Sequence, residues 1–266
     1  MWSAILLGGC VVGLKNVPSV SQSLDTGQVA EDTSVVESND PAEPTPEPER
    51  TDIWIYTGHG GLSVAAINGR GGSESVQSHW SGDGWTTKVI AELPSIEEMG
   101  RPRLLVFTAP GSRTQVRFEP LDIRKIERFL ESDGLLALYV DTCSNPHFNT
   151  LLSNIGMDIQ LSSEANNSST VVRNAQVHSS ADLVAGVERV TMMEPCRFTV
   201  RRGTSLVFSE VDSETHVYVA SGTPNAGGQV IVLGDFQLID DAGYFEETDN
   251  KVFASILAQR TPATVP

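Results

Sequence analysis

Short apolar runs and segments of helical periodicity alternate along the chain between residues 52 and 259. Apolar runs that end in glycine or proline turns predict strands at residues 52–56, 103–107 and 135–140. Two later apolar runs, at 217–220 and 229–233, predict further strands. The run at 135–140 is continuously apolar, which is typical of a strand covered on both faces.

Three segments between and after these strands have helical spacing. The first begins at Pro120, ends at Asp133-Gly134, and has an apolar stripe at Leu121, Ile123, Ile126, Phe129 and Leu130. Residues 149–155 and 249–259 predict two more helices, while the glycine-rich residues 67–84 predict a loop. Strands alternating with helices predict an α/β fold with a doubly wound, mostly parallel sheet and helices on both faces.

Residues 16–50 have a different composition, rich in Ser, Thr, Glu, Asp and Pro and almost without large apolar side chains. Such a segment buries too little apolar surface to offset its ordering entropy, so we expect a disordered, semi-stiff tether. The folded domain is then expected at residues 51–260, followed by a disordered tail at 261–266.

The charge balance and the glycine spacing limit the classes of ligand. There are 34 acidic and 18 basic side chains and a net charge of −16, which disfavours binding to nucleic acid. The glycine-rich turns lack Walker or dinucleotide spacing. Zinc sites normally need four ligands, and Cys143 and His147 offer one pair without a second. We therefore expect neither a metal nor a cofactor.

The first ten residues form an apolar run that ends in Leu7-Gly8-Gly9-Cys10. This motif resembles the lipobox of bacterial lipoproteins, in which the cysteine becomes lipidated after cleavage. The resemblance implies a signal and anchor at residues 1–15 and acylation of Cys10. The expected location is the bacterial cell envelope, where the protein is extracytoplasmic and held on a membrane by its acyl chains.

Three segments of the domain resemble the class I glutamine amidotransferase-like fold, and in particular its non-catalytic relatives in bacterial extracytoplasmic proteins. They are LDIRKIERFLESDGLLALYVD, HSSADLVAGVERV and GQVIVLGDFQLIDDAGYFEETDNKVFASILAQ. The resemblance covers most of residues 51–259. It implies the fold and favours a binding module over an enzyme.

In catalytic amidotransferases a strand runs into Gly-x-Cys-x-Gly, a strained elbow that presents the thiolate. Here the strand continues into Asp141-Thr-Cys143, and no glycine flanks the cysteine. A catalytic thiol needs a base; His147 is near in sequence, and His59, His178 and His216 are candidates from elsewhere in the fold. Cys143 and Cys196 are alternatively a disulfide pair in an oxidising compartment.

His59, Asp141 and Asp235 each follow a predicted strand. In open α/β sheets ligands bind outside the carboxyl ends of the strands, so these three residues are candidates for a small-molecule or sugar pocket. The sequence therefore predicts a lipid-anchored, non-catalytic domain that binds a ligand or protein partner. The alternative is a degenerate cysteine hydrolase that uses Cys143.

Overall fold

The computed structural model describes residues 52–62, 72–110, 117–162, 171–178, 181–211, 213–239, 245 and 249–259. The described helices are α1 (Glu74–Gly82), α2 (Pro120–Glu131), α3 (Pro146–Asn154) and α4 (Asn250–Gln259). The described strands are β1 (Ile53–Tyr56), β2 (Thr87–Ile90), β3 (Leu104–Phe107), β4 (Leu135–Tyr139), β5 (Asp158–Leu161), β6 (Val171–Val177), β7 (Arg189–Met193), β8 (Phe198–Arg202), β9 (Thr204–Val211), β10 (Glu214–Gly222) and β11 (Gln229–Leu233).

All of these strands belong to one mixed sheet with the order β2-β1-β3-β4-β11-β10-β9-β6-β7, and β8 pairs with β10 and β5. The five strands β2, β1, β3, β4 and β11 are parallel to one another. The remaining pairs are antiparallel. The prediction of a mostly parallel sheet thus describes only one part of the sheet.

The buried side chains of the parallel strands form two separate clusters, one on each face. Ile53 and Ile55 of β1 belong to the cluster that contains Trp80 of α1 and Phe253 of α4. Trp54 and Tyr56 of β1 belong to the cluster of α2 and α3. Because successive strand side chains point to opposite faces, β1 is buried on both sides, and helices lie against both faces.

The predicted strands and the three predicted helices are confirmed, and none of their ends shifts by more than three residues. The structure contradicts the predicted loop at 67–84, because α1 occupies its second half. The prediction failed because glycines surround α1 in the sequence and only two of its side chains, Val76 and Trp80, are buried. These two residues are four positions apart, which is helical spacing.

The predictions for the anchor with Cys10, for the tether at 16–50 and for the tail at 261–266 lie outside the described residues. Among the described residues, no helix combines the length and the apolar composition that a membrane-spanning segment needs.

Candidate functional site

Cys143, the candidate nucleophile, forms a disulfide with Cys196. The bond joins the loop after β4 to the residues that precede β8. Cys196 is fully buried and Cys143 is half-buried. A disulfide-bonded sulfur is not a thiolate, so it cannot attack a substrate while the bond is intact.

The backbone after β4 also lacks a strained elbow of the kind that presents a catalytic thiolate. None of residues 139–145 has a positive φ, whereas His59 and Ala109, after β1 and β3, do. The candidate base His147 lies in the first turn of α3, where its backbone amide donates to Oδ1 of Asn145. It lines a cavity of about 450 Å³ with Arg117, Phe118, Pro146, Thr150, Leu151 and Asn154.

Two of the other three histidines proposed as bases, His178 and His216, lie in the antiparallel part of the sheet. His178 follows β6 and is exposed, and its backbone amide donates to the carbonyl of Leu206. His216 is buried within β10, with Nε2 3.6 Å from Oε2 of Glu214.

Asp235 follows β11, as predicted, but its carboxylate has a structural role. It is buried and accepts hydrogen bonds from the backbone amides of Met193, at 2.5 Å, and Gln237, at 2.8 Å. These bonds tie the end of β11 to β7 and begin the short 3-10 helix Phe236–Leu238. Phe236 and Leu238 of this helix pack in the cluster that contains Trp80 of α1 and Phe253 of α4.

Asp141 follows β4 at the surface. The residue is exposed, yet the protein around its carboxyl group partly desolvates it and raises its pKa. The three predicted pocket residues thus have different surroundings, and His59 lines a cavity formed by described residues.

His59 lies in the turn after β1 and is held on several sides. Its Nδ1 is hydrogen-bonded to the hydroxyl of Tyr56, and its Nε2 lies 3.2 Å from Oδ2 of Asp122. Its ring stacks on Phe118, with 4.1 Å between ring centroids. The φ of His59 is +52°, a left-handed conformation that is uncommon for residues other than glycine. Such outliers persist where the surroundings fix them, and they cluster at functional sites.

A cavity of about 380 Å³ opens beside this histidine at the carboxyl ends of β1 and β2. Its lining comprises Tyr56, His59, Gly60, Ala91, Glu92, Leu93, Asp122 and Lys125. Burial raises the pKa of Tyr56, and the negative charges of Asp122 and then Glu92 raise it further. The tyrosine therefore remains a neutral hydroxyl at physiological pH.

Sequence reasoning identified His59 and missed its partners. Asp122 lies in the first turn of α2, where Oδ2 also accepts from the backbone amide of Glu119 at 3.1 Å. In sequence this aspartate is indistinguishable from a helix-capping residue. The sequence predicts that Tyr56 is a buried strand residue. Its position three residues before His59 is the one feature of the sequence that indicates their hydrogen bond.

Within the described ranges, no three side chains of His, Cys, Asp or Glu are grouped so that they could bind a metal ion. The contacts of His59 are instead those of a hydrogen-bonded and stacked ring.

Gly58 provides a test of how tightly the His59 turn is packed. A Cβ at this position would lie far inside contact distance of the carbonyl oxygen of Ala91 and the hydroxyl of Tyr56. We expect Gly58→Ala to lower the free energy of unfolding by about 1–3 kcal/mol and to shift the NMR signals of the His59 ring. Gly82→Ala is the matched control, since nothing lies within 4 Å of its added Cβ. Equal unfolding midpoints for the two variants would contradict the tight packing.

No family model matches the sequence, and no curated protein matches it. Solved structures are similar in fold. The mmIFT52 N-terminal domain has a TM-score of 0.60 at 14% identity, covering 79% of this chain and 98% of that one. A ThuA-like protein from Bacteroides uniformis ATCC 8492 has a TM-score of 0.51 at 13% identity, covering 82% and 94%. The cytoplasmic protein STM1381 from Salmonella typhimurium LT2 has a TM-score of 0.54 at 8% identity, covering 77% and 96%.

At such low identities these similarities show the fold alone. The ThuA-like and bacterial cytoplasmic proteins have a fold that resembles the glutamine amidotransferase-like fold. The fold part of the resemblance seen in the sequence is therefore supported by solved structures.

Proposed function

We propose that this protein is a lipid-anchored, extracytoplasmic binding protein of the bacterial cell envelope, with a doubly wound, amidotransferase-like domain that has no catalytic thiol. The observation that carries the proposal is the disulfide between Cys143 and Cys196. It occupies the sulfur on which cysteine hydrolysis would depend, and the loop after β4 has no strained elbow.

The disulfide also supports the proposed location. Disulfides persist in oxidising compartments such as the periplasm and the cell surface and are rare in the cytosol. A lipidated Cys10 and a disordered tether at 16–50 would place the domain in such a compartment. The proposed ligand site is the cavity at His59, because it lies at the carboxyl edge of the parallel strands, where open α/β sheets bind ligands.

Counting free thiols tests the location and the missing nucleophile together. The full chain is isolated from the membrane fraction, denatured without reductant and treated with a maleimide polymer that slows its migration on a gel. We expect no shifted band, because Cys10 carries lipid and the other two cysteines are paired. After reduction we expect two additions. The variant Cys10→Ser should again give no addition before reduction and should leave the membrane fraction.

The competing hydrolase predicts a different count. Two additions before reduction, mapped to Cys143 and Cys196 by mass spectrometry, would show that both thiols are free and contradict the proposal. One addition at Cys10 would instead contradict the lipid anchor while leaving the disulfide intact. The two parts of the proposal thus fail separately.

A further inference from the structure

Ser73 immediately precedes α1, and its hydroxyl group is buried without a partner. The residue is fully buried, and its Oγ has no hydrogen-bond partner in the part of the chain that the structure describes. Buried hydroxyl groups are nearly always hydrogen-bonded, because an unsatisfied one has given up its bonds to water without replacement. The Ser73 hydroxyl therefore has hydrogen-bonding capacity to offer to a ligand.

Ser73 occupies the capping position of α1 but does not cap the helix. A serine at this position normally accepts a hydrogen bond from an amide of the first turn. Here the side chain accepts none, and its ψ of 29° is not the extended conformation of a capping residue. The Ser73 carbonyl oxygen is held instead by Gln77, whose backbone and side-chain amides donate to it at 3.0 and 3.1 Å. The hydroxyl is thus placed at the amino end of the helix, beside the first-turn amides, without a bond to them.

The amino end of α1 lies toward the carboxyl edge of the parallel strands. β1 and β2 are parallel and α1 connects them, so the helix runs back across the sheet from the end of the first strand. Gly72 leads the chain into the helix with a φ of +139°, which glycine adopts at no steric cost. Open α/β sheets bind ligands at this edge, and a glycine turn before a helix is a common place for them.

The groups at this helix end favour an anion. Backbone amides only donate, whereas a hydroxyl can donate as well as accept. The aligned peptide dipoles of α1, a helix of nine residues, make its amino end electropositive. A phosphate group suits such an end because its oxygens accept from a hydroxyl and from amides at the same time. Glu74, the acidic residue of the first turn, is exposed, so its charge is screened by solvent.

We propose that the amino end of α1 binds a phosphate group, either as the free ion or as part of a small organic molecule, with the Ser73 hydroxyl and the Val76 amide as donors. The inference goes beyond the proposed function. Val76 of α1 packs on one face of the sheet, whereas Tyr56 of the His59 cavity packs on the other. The phosphate site is therefore separate from the cavity at His59.

A titration with simple anions tests the ligand class. The unlipidated full chain (Cys10→Ser) is titrated with inorganic phosphate, glycerol 3-phosphate, acetate and chloride at constant ionic strength, and the amide NMR signals of α1 are followed. We expect saturable shifts of the Val76 amide with phosphate probes and none with acetate or chloride. Tighter binding of inorganic phosphate would identify the free ion as the ligand, and tighter binding of the ester would identify an organic phosphate.

Three variants test the role of the Ser73 hydroxyl. Ser73→Ala should weaken phosphate binding about tenfold, the effect of losing one hydrogen bond to a charged group. Without phosphate it should leave the unfolding midpoint unchanged, because the hydroxyl has no bond to lose. Asn145→Ala removes a cap that does accept a bond, at α3, and should lower the midpoint with or without phosphate. Tyr139→Phe is the matched control for affinity, since it removes another fully buried hydroxyl that has no partner among the described residues.

Several results would overturn the proposal. The absence of saturable shifts with both phosphate probes, or equal shifts with chloride, would contradict a phosphate site at α1. Equal losses of affinity in Ser73→Ala and Tyr139→Phe would contradict the role of the Ser73 hydroxyl. A lowered midpoint of Ser73→Ala without phosphate, as large as that of Asn145→Ala, would show an ordinary helix cap. These results are independent of the free-thiol count, so the proposed function is tested separately.

Discussion

The double variant Cys143→Ser, Cys196→Ala is expected to lose about 4 kcal/mol of unfolding free energy. The disulfide closes a loop of 53 residues, and cross-linking a loop of that length removes much of the conformational freedom of the unfolded chain. Serine suits the half-buried position and alanine the fully buried one, so neither replacement buries a new polar group. Urea unfolding of the full chain, followed by circular dichroism, measures the change.

A reductant provides the matched control for this result. It should shift the unfolding midpoint of the wild-type chain toward that of the double variant and leave the double variant unaffected. Cys10→Ser should behave as the wild type in this experiment. A wild-type midpoint that does not change with reductant would contradict a stabilising disulfide.

The elements predicted from the sequence are those whose apolar pattern follows directly from burial. β4 is buried at every position, and its run of five apolar residues therefore stands out. In α2 the buried residues Ile123, Ile126, Phe129 and Leu130 follow the helical period, because one side of the helix faces the sheet and the other faces water. A strand buried on both faces, or a helix buried on one side, has an apolar pattern that can be recognised without knowing which elements pack against it.

The antiparallel part of the sheet leaves a weaker pattern. β5 alternates exposed and buried residues over four positions, and β8 has one buried residue in five. Such short, half-exposed strands are defined by their neighbours more than by their own composition. Their existence became evident only from the pairing of β5 with β8 and of β8 with β10.

In the candidate site, too, some features could be predicted from local sequence and others depend on tertiary contacts. His59 was identifiable because a glycine-rich turn follows a buried strand, whereas its contact with Asp122 depends on how α2 lies over that turn. Asp235 appeared equivalent to His59 by the same rule, yet two backbone amides occupy its carboxylate. A polar residue at a strand end thus predicts proximity to the carboxyl edge, and tertiary contacts decide whether its atoms face a ligand or the backbone.

Trp80→Ala is expected to lower the free energy of unfolding by about 3–5 kcal/mol. Trp80 is fully buried between α1 and the core, and its Nε1 donates to the carbonyl of Ala254 in α4 at 2.9 Å. Truncation leaves a large cavity and breaks the link between two helices that are distant in sequence. Since α1 has only two buried residues, we also expect faster amide exchange throughout α1.

Two further variants separate packing from hydrogen bonding at this position. Trp80→Phe keeps most of the buried ring surface and loses the donor, so it should cost about 1–2 kcal/mol. Trp85→Ala removes the same side chain from a half-exposed position beside Arg103, at a cost of at most about 2 kcal/mol. If Trp80→Ala costs no more than Trp85→Ala, then α1 is not anchored through Trp80. A large cost confined to Trp80 would show that Trp80 is a main anchor of α1, a helix whose sequence resembles a glycine-rich loop.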